Sequence, residues 1–236
     1  MAGLYCARQR MIDELAGYDR VLANKADGFD FYPQQTVQPF AIVDTLDRLG
    51  LASPELRTTT FDLNPRVNEH LRAALARARG GRGYVLTLPL DDDDPWSADL
   101  RAFWKTLGSR VGEETAAPTP PDTAGRVSVR AVTVRPAVVS AMTVLDLNIV
   151  FERLTPMTPD ERFDLIVATN VLVYYDVFEQ ALALANAASM LRPGGLVLTN
   201  TAVFPTPPMK GSAGYLRVVY RSRQHDHFFW YQREIS

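Results

Sequence analysis

Acidic and amide side chains end three segments that the sequence predicts as buried strands. Asp62 closes the β-rich stretch 56–62, Asp146 closes the strand-rich stretch before "LN", and Asn170 closes "FDLIVATN". In an open parallel sheet, ligands bind where loops leave the carboxyl ends of the strands. A carboxylate at such an end can accept hydrogen bonds from both hydroxyls of a ribose. These residue types therefore indicate a nucleoside-type ligand, with Asp62 and Asp146 as the candidate contacts.

Each candidate also has a plainer interpretation. Asp62 could serve only to begin the following helix, although Asn64 already suits the N-cap position there. Asp146 could be an ordinary turn residue, and Tyr174 could be a partly buried aromatic at the start of a helix. The residues alone leave these alternatives open.

Elements that would position these side chains alternate along the chain. Helical periodicity or capping signals predict helices over 5–25, 37–51, 64–80, 97–111 and 176–193, and apolar runs predict strands near 57–62, 83–90, 140–145, 163–168 and 195–200. The tail 214–234 has the alternation of an antiparallel hairpin. This order predicts a three-layer α/β domain whose mostly parallel sheet ends in a C-terminal antiparallel hairpin.

Composition narrows the class of protein. The 236 residues suit one well-cored domain, and 25 Lys+Arg against 27 Asp+Glu argue against a dedicated nucleic-acid or membrane-surface binder. The single Cys6 and three ungrouped histidines predict neither an internal disulfide nor a metal site. No apolar run approaches the length of about 18 residues that spans a membrane, and no secretory signal is evident, so we expect a cytoplasmic protein.

Four segments resemble class I methyltransferases that depend on S-adenosylmethionine: "TTTFDLNPRVNEHLRAA", "VLDLNIVFERL", "FDLIVATNVLVYYD" and "MLRPGGLVLTN". In that family an acidic residue ends the second strand, an Asp follows the third, "FDxI" opens the fourth and "L-PGG-L" leads into the fifth. The resemblance covers roughly 38–233 and implies a Rossmann-like sheet. It implies one domain over 1–236, with an N-terminal helix and atypical loop at 1–37 and an insert at 83–126.

The resemblance also implies a cofactor and an activity. The cofactor would be S-adenosylmethionine and the acceptor a small molecule, while the oligomeric state stays open, a homodimer included. The residues that it places at the site are Asp62 and Leu63 at the ribose, Asp146 and Leu147 at the adenine edge, Asn170 at the methyl-transfer region and Tyr174 at the acceptor. Of these, Asn170 and Tyr174 are the candidates for a direct part in catalysis.

The family's first motif, a strand followed by a glycine-rich loop, should fall near 29–37. The chain instead has "FDFYPQQTV", with bulky residues where glycines would let a cofactor approach the backbone. Either the loop is unusual, with Phe31 or Tyr32 covering the cofactor, or cofactor binding is lost, or a first strand is missing. A non-catalytic methyltransferase-like binding or assembly module is therefore the second hypothesis. A nicotinamide dehydrogenase is the third hypothesis. It ranks last because such an enzyme needs a G-x-G-x-x-G motif that the chain lacks.

Overall fold

The computed structural model of the chain describes residues 35–91, 98–119, 128–155, 157–217 and 225–235. The predicted helix 5–25 and the larger part of the atypical loop, including Phe31 and Tyr32, lie outside these residues. Within the described residues the chain divides into two compact units, and the boundary falls between Asp146 and Leu147. The expectation of a single domain over 1–236 stays a prediction.

The first unit contains four helices and five strands among its described residues. They are α1 (Gln38–Arg48), β1 (Thr58–Asp62), α2 (Pro65–Arg79), β2 (Tyr84–Asp91), α3 (Ala98–Thr106), β3 (Gly112–Thr115), β4 (Ser128–Val134), α4 (Pro136–Ser140) and β5 (Met142–Asp146). Strands β1 and β5 pair in parallel, with Thr58 opposite Met142 and Asp62 opposite Asp146. The predicted strands near 57–62 and 140–145 are thus parallel neighbours.

Helix α2 begins where the sequence predicts it. The Asn64 side chain accepts a hydrogen bond from the backbone N–H of Arg66, and Pro65 occupies the first helical position, where a missing N–H costs nothing. The helix packs on β1, β5 and α4, which brings its first two turns close to the carboxyl ends of the two parallel strands.

A separate antiparallel sheet, in the order β2-β4-β3, occupies the region 83–134. Most of this sheet lies in the segment 83–126, which the resemblance treats as an insert, and β4 extends it to Val134. The strand-rich stretch that Asp146 closes splits into β4 and β5 because Pro136 starts the short helix α4 between them. Proline lacks an N–H and has a fixed φ, which suits the first turn of a helix better than the middle of a strand.

The core of the first unit joins its helices to the antiparallel sheet. Its largest fully buried side chains are Phe40, Leu71, Leu86, Leu88, Leu107, Val111, Val132 and Val134. Phe40 of α1 stacks on Tyr84 of β2, with ring centroids 5.1 Å apart. This core fixes α1 and α2 on the same body as β2.

The second unit carries the remaining parallel pair and the closing hairpin. Its elements are a 3₁₀ turn (Pro159–Glu161), β6 (Phe163–Ala168), a second 3₁₀ turn (Leu172–Tyr174), α5 (Val177–Met190), β7 (Leu191–Thr199), β8 (Met209–Arg217) and β9 (His225–Arg233). The strands lie in the order β6-β7-β9-β8, with β6 and β7 parallel and the other pairs antiparallel. The predicted neighbours 163–168 and 195–200 and the C-terminal hairpin are confirmed.

The segment "MLRPGGLVLTN" departs from the predicted helix, turn and strand in one respect. Helix α5 ends at Met190 and β7 begins at Leu191, so "RPGG" lies inside the strand rather than before it. Phe163 pairs with Leu191 and Leu165 with Leu196, so "RPGG" forms a bulge between these two pairs. Gly194 has φ +79°, which favours glycine, and Pro193 has no N–H to donate to a ladder.

The described residues thus form a mixed α/β protein with two parallel strand pairs and additional antiparallel strands. Among the helices of the described residues, none is long and apolar enough to span a membrane.

Candidate functional site

Asp62 and Asp146 face each other at the carboxyl ends of β1 and β5. An Asx turn holds Asp62, because its Oδ1 accepts a 2.8 Å hydrogen bond from the backbone N–H of Asn64. The two carboxylates that the sequence analysis placed at the ribose and at the adenine edge therefore lie on one edge of one parallel pair.

Asn68, in the first turns of α2, links the two strand ends. Its side chain is fully buried, and Nδ2 donates to the carbonyl oxygen of Asp62 at 2.9 Å and to the carboxylate of Asp146. Because both partners can only accept, the amide has only one satisfactory orientation. Asn68 Oδ1 is buried and has no hydrogen-bond partner among the described residues, so within them the edge holds a buried acceptor that lacks a donor.

Asp146 is held from a second side by Arg72 of α2. The distance from Arg72 Nη2 to Asp146 Oδ2 is 2.8 Å, and the pair is partly open to solvent. The hydrogen bond from Arg72 lowers the pKa of Asp146, and the bond from Asn68 acts in the same direction. Asp146 is therefore an ionised carboxylate at neutral pH, with one oxygen bound to Asn68 and the other to Arg72.

This edge offers hydrogen-bond acceptors. Carboxylates accept hydrogen bonds and do not donate them, and each has about four lone-pair positions. Leu63 is exposed beside Asp62. Leu147 is buried and belongs to the second unit. A ligand that fits this edge must carry donors, as the hydroxyls of a ribose do.

The carboxyl end of β6 is built from two asparagines. Asn170 follows β6 with φ +57°, a left-handed conformation that Asn tolerates better than most residues, and only 4% of it is exposed. Its backbone N–H donates to Asn200 Oδ1 at 2.8 Å, and Asn200 Nδ2 donates to Asn170 Oδ1 at 2.6 Å. Asn170 Nδ2 is buried, and no residue that the structure describes accepts a hydrogen bond from it.

Apolar side chains stand exposed directly after Asn170. Tyr174 is 66% exposed at the end of the 3₁₀ turn, and Phe178, in the first turn of α5, is 72% exposed. Val173, Val177 and Phe204 are also exposed, the last in the loop that follows β7. Because β6 and β7 are parallel neighbours, the loops that carry these residues leave the same edge of the second unit.

The described end of the atypical loop, residues 35–37, is anchored to β2. The Gln35 side chain donates from Nε2 to the Thr87 carbonyl at 2.6 Å and accepts at Oε1 from the Thr87 N–H at 2.7 Å. The Thr36 N–H donates to the Tyr84 hydroxyl at 2.7 Å, and His70 Nε2 lies 2.8 Å from the same oxygen. Burial raises the pKa of Tyr84 and lowers that of His70. The segment that follows Phe31 and Tyr32 thus has a fixed position on the first unit.

The structure therefore pairs Asp62 with Asp146 in the first unit and places Asn170 and Tyr174 in the second. The sequence analysis missed Asn68, Arg72 and Asn200. Asn200 closes the apolar run "GLVLTN" as Asn170 closes "FDLIVATN", and that shared pattern could have identified it. The positions of Asn68 and Arg72 on α2 give no such signal.

No protein-family model matches the chain, and no curated protein matches it. Solved structures with weak similarity to the chain include N-methyltransferases. NodS from Bradyrhizobium japonicum WM9, in complex with S-adenosyl-L-homocysteine, is 18% identical over 40% of this chain and 55% of that chain, with a TM-score of 0.31. The match thus spans about half of that structure.

Two further structures match over a larger share of the chain. A second NodS structure is 17% identical over 73% of this chain and 98% of that chain, with a TM-score of 0.33. The glycopeptide N-methyltransferase MtfA is 10% identical over 89% of this chain and 99% of that chain, with a TM-score of 0.31. TM-scores this low establish neither a shared function nor a shared site.

Proposed function

We propose that the protein transfers a methyl group from S-adenosylmethionine to a small-molecule acceptor, as a cytoplasmic enzyme of one domain. The observation that carries the proposal is the pairing of the strands. In the family resemblance, β1 and β5 correspond to the second and third strands, and β6 and β7 correspond to the fourth and fifth. In the structure β1 pairs with β5, and β6 pairs with β7.

A doubly wound sheet has the strand order 3-2-1-4-5-6, so the first strand lies between the second and the fourth. Without its first strand, that order leaves two neighbouring pairs, the third strand with the second and the fourth with the fifth. These are the two pairs that the structure contains. The antiparallel pairing of β9 with β7 also agrees with the reversed last strand of the family. In this proposal the two pairs belong to one three-layer Rossmann-like sheet.

The edge of the first unit supports a nucleoside ligand. The carboxylates and the buried Asn68 Oδ1 form a set of acceptors that suits the ribose hydroxyls and other donors of an adenosine. We assign Asp62, with Leu63 beside it, to the ribose, and Asp146 with Leu147 to the adenine edge. The pair with Arg72 keeps Asp146 ionised, which maintains its capacity to accept hydrogen bonds.

The residues of the second unit would act by alignment. When bound, S-adenosylmethionine supplies a methyl group on a sulfonium, which is already a good leaving group. The task left to the protein is to hold the acceptor in line and to exclude water. We assign Asn170 to the methyl-transfer region and Tyr174 to the orientation of the acceptor. We propose that one ring, of Phe31 or of Tyr32, covers the cofactor.

Calorimetric titration of the full chain with S-adenosylmethionine and with S-adenosylhomocysteine tests the proposal. We expect saturable binding of both, and we expect Asp62→Ala to weaken the binding of both. Absence of binding by the folded protein would overturn methyl transfer and leave the non-catalytic module. The variants Phe31→Ala and Tyr32→Ala sharpen the result: weaker binding in either supports a ring that covers the cofactor, and binding that appears only after truncation shows a ring that blocks it.

A further inference from the structure

The hydrogen-bond polarity of Asn170 is fixed by its backbone. A backbone N–H can only donate, so the Asn200 atom that faces the Asn170 N–H must be Oδ1. The other Asn200 atom is then Nδ2, a donor, and the Asn170 side-chain atom opposite it must be Oδ1. Nδ2 is therefore the Asn170 atom that remains, and it cannot exchange places with Oδ1 without breaking the pair.

The remaining Asn170 nitrogen is a buried donor without an acceptor in the part of the chain that the structure describes. Leaving a buried polar group unsatisfied is costly, and such groups in native proteins call for an explanation. A ligand atom placed against Nδ2 would remove this cost, and it would have to be a hydrogen-bond acceptor.

The surroundings indicate the rest of the ligand. Within eight residues after Asn170, two aromatic rings, Tyr174 and Phe178, stand exposed together with Val173 and Val177. These exposed apolar side chains follow the buried amide closely along the chain, and small-molecule sites combine apolar walls with a few polar groups.

We propose that the second unit binds an aromatic or similarly apolar small molecule through a hydrogen-bond-accepting oxygen, held by Asn170 Nδ2. The inference rests on the proposed function in one respect only, namely that this ligand is the methyl acceptor. The geometry assigns the site to carbonyl, carboxylate or ether oxygens and excludes an ammonium group at this position, because two donors would face each other.

The oxygen that Asn170 holds is not the atom that receives the methyl group. A hydrogen bond donated to a lone pair of the nucleophile would stabilise that lone pair before transfer and lower its reactivity. Asn170 is thus a positioning residue that orients the ligand through an oxygen next to the reacting atom.

Two neutral aromatic probes of similar size test the polarity directly. Acetophenone offers only an accepting oxygen, and indole offers only a donating N–H. Binding to the full chain is followed by chemical-shift changes of the Asn170 and Asn200 side-chain amides. We expect acetophenone to bind about tenfold more tightly than indole, the worth of one hydrogen bond to a buried partner. Equal binding, a preference for indole, or binding of neither probe at this amide would overturn the inference.

Asn200→Asp inverts the expected preference. The new carboxylate still accepts from the Asn170 N–H, but its second oxygen now requires a donor, so the Asn170 amide turns and presents Oδ1 instead. We expect the ratio of acetophenone to indole affinity to fall at least tenfold. Ala202→Asp, which adds the same charge at an exposed position of the same loop, should leave the ratio unchanged; an equal fall there would show an effect of charge and overturn the inference.

These outcomes are separable from those of the cofactor titration. Binding of S-adenosylmethionine without a preference for acetophenone removes the inference and leaves the proposed function. A preference for acetophenone without cofactor binding leaves the ligand site and removes methyl transfer. If Asn200→Asp does not fold, the comparison of probes on the unaltered protein still decides the inference.

Discussion

The two parallel strand pairs of this protein end in opposite hydrogen-bond chemistry. At the edge of the first unit, Asp62, Asp146 and the buried Asn68 Oδ1 are acceptors. At the edge of the second unit, the Asn170 amide is locked so that its remaining atom is a donor. A turn after a parallel strand thus presents hydrogen-bond acceptors in the first unit and a hydrogen-bond donor in the second.

Different interactions determine whether each edge offers hydrogen-bond donors or acceptors. In the first unit the polarity follows from charge, because Arg72 and Asn68 stabilise an ionised carboxylate. In the second it follows from the backbone, because an N–H that cannot reverse dictates the orientation of two neutral amides. The first edge should therefore respond to charge and pH, and the second should respond to the geometry of the amide pair.

The largest effect is expected for Asn68→Asp. The substitution removes the donor for the Asp62 carbonyl and places a second carboxylate against Asp146 in a fully buried position. We expect the free energy of unfolding to fall by about 3 kcal/mol, measured by urea denaturation. Glu69→Gln, on the exposed side of the same helix, should change it by less than about 0.5 kcal/mol. A similar result for both variants would show that Asn68 does not link the two strand ends.

The next effect concerns affinity. Asp62→Ala should weaken the binding of S-adenosylmethionine by about 1.5–3 kcal/mol, or roughly ten- to a hundredfold, through the loss of one charge-assisted ribose contact. Asp164→Ala is the matched control, since Asp164 lies near the amino end of β6 and pairs with Arg192 at 2.6 Å. Unchanged affinity in a folded Asp62→Ala variant rules out the role assigned to this carboxylate.

Many of the strands and helices that position the two edges are predictable from the sequence. The apolar run of "FDLIV" and "GLVL" predicts two buried strands, and the intervening helix predicts their parallel pairing, which the structure confirms. The cap at Asn64 also lies where the pattern predicts it. These features are local, because each depends on periodicity or on a residue type at a helix end.

The contacts inside each edge are not predictable in the same way. Asn68 is one polar residue on a helix, and its burial depends on how α2 packs on β1 and β5. The pairing of Asn170 with Asn200 depends on the register of β6 and β7, because a shift of one residue would turn a side chain to the other face. The antiparallel sheet β2-β4-β3 is a similar case, because the periodicity of the sequence does not show which segments pair with each other.

A smaller effect is expected for Asn200→Ala. The substitution leaves the Asn170 N–H and Oδ1 without their partners, so the free energy of unfolding should fall by about 1–2 kcal/mol. Asn200→Asp keeps an acceptor for the N–H and should lose less. Urea denaturation of the two variants beside the parent gives the comparison. An equal loss in both would mean that the amide pair is held by packing and not by these hydrogen bonds.

The smallest effect is a difference in the response to acid. The pKa of Asp146 is lower in the folded protein than its ordinary value of 3.8. A group with a depressed folded pKa binds more protons when unfolded, so its contribution to stability is present above the ordinary pKa and is lost as the pH falls through the folded value. The two amides at the other edge do not titrate at all.

Side-chain amide signals in an NMR titration from about pH 6 to about pH 2 report each edge separately. We expect the Asn68 signal to move with the protonation of Asp146, below its ordinary pKa, and the signals of Asn170 and Asn200 to show no change with that midpoint.

Arg72→Gln should raise the midpoint at Asn68 toward the ordinary value, because the strongest interaction that lowers the pKa is removed. Burial lowers the pKa of the nearby His70 below 6.5, so His70→Gln serves to separate its titration from that of Asp146. Movement of the Asn170 and Asn200 signals with the Asp146 midpoint would contradict the division into one edge set by charge and another set by the backbone.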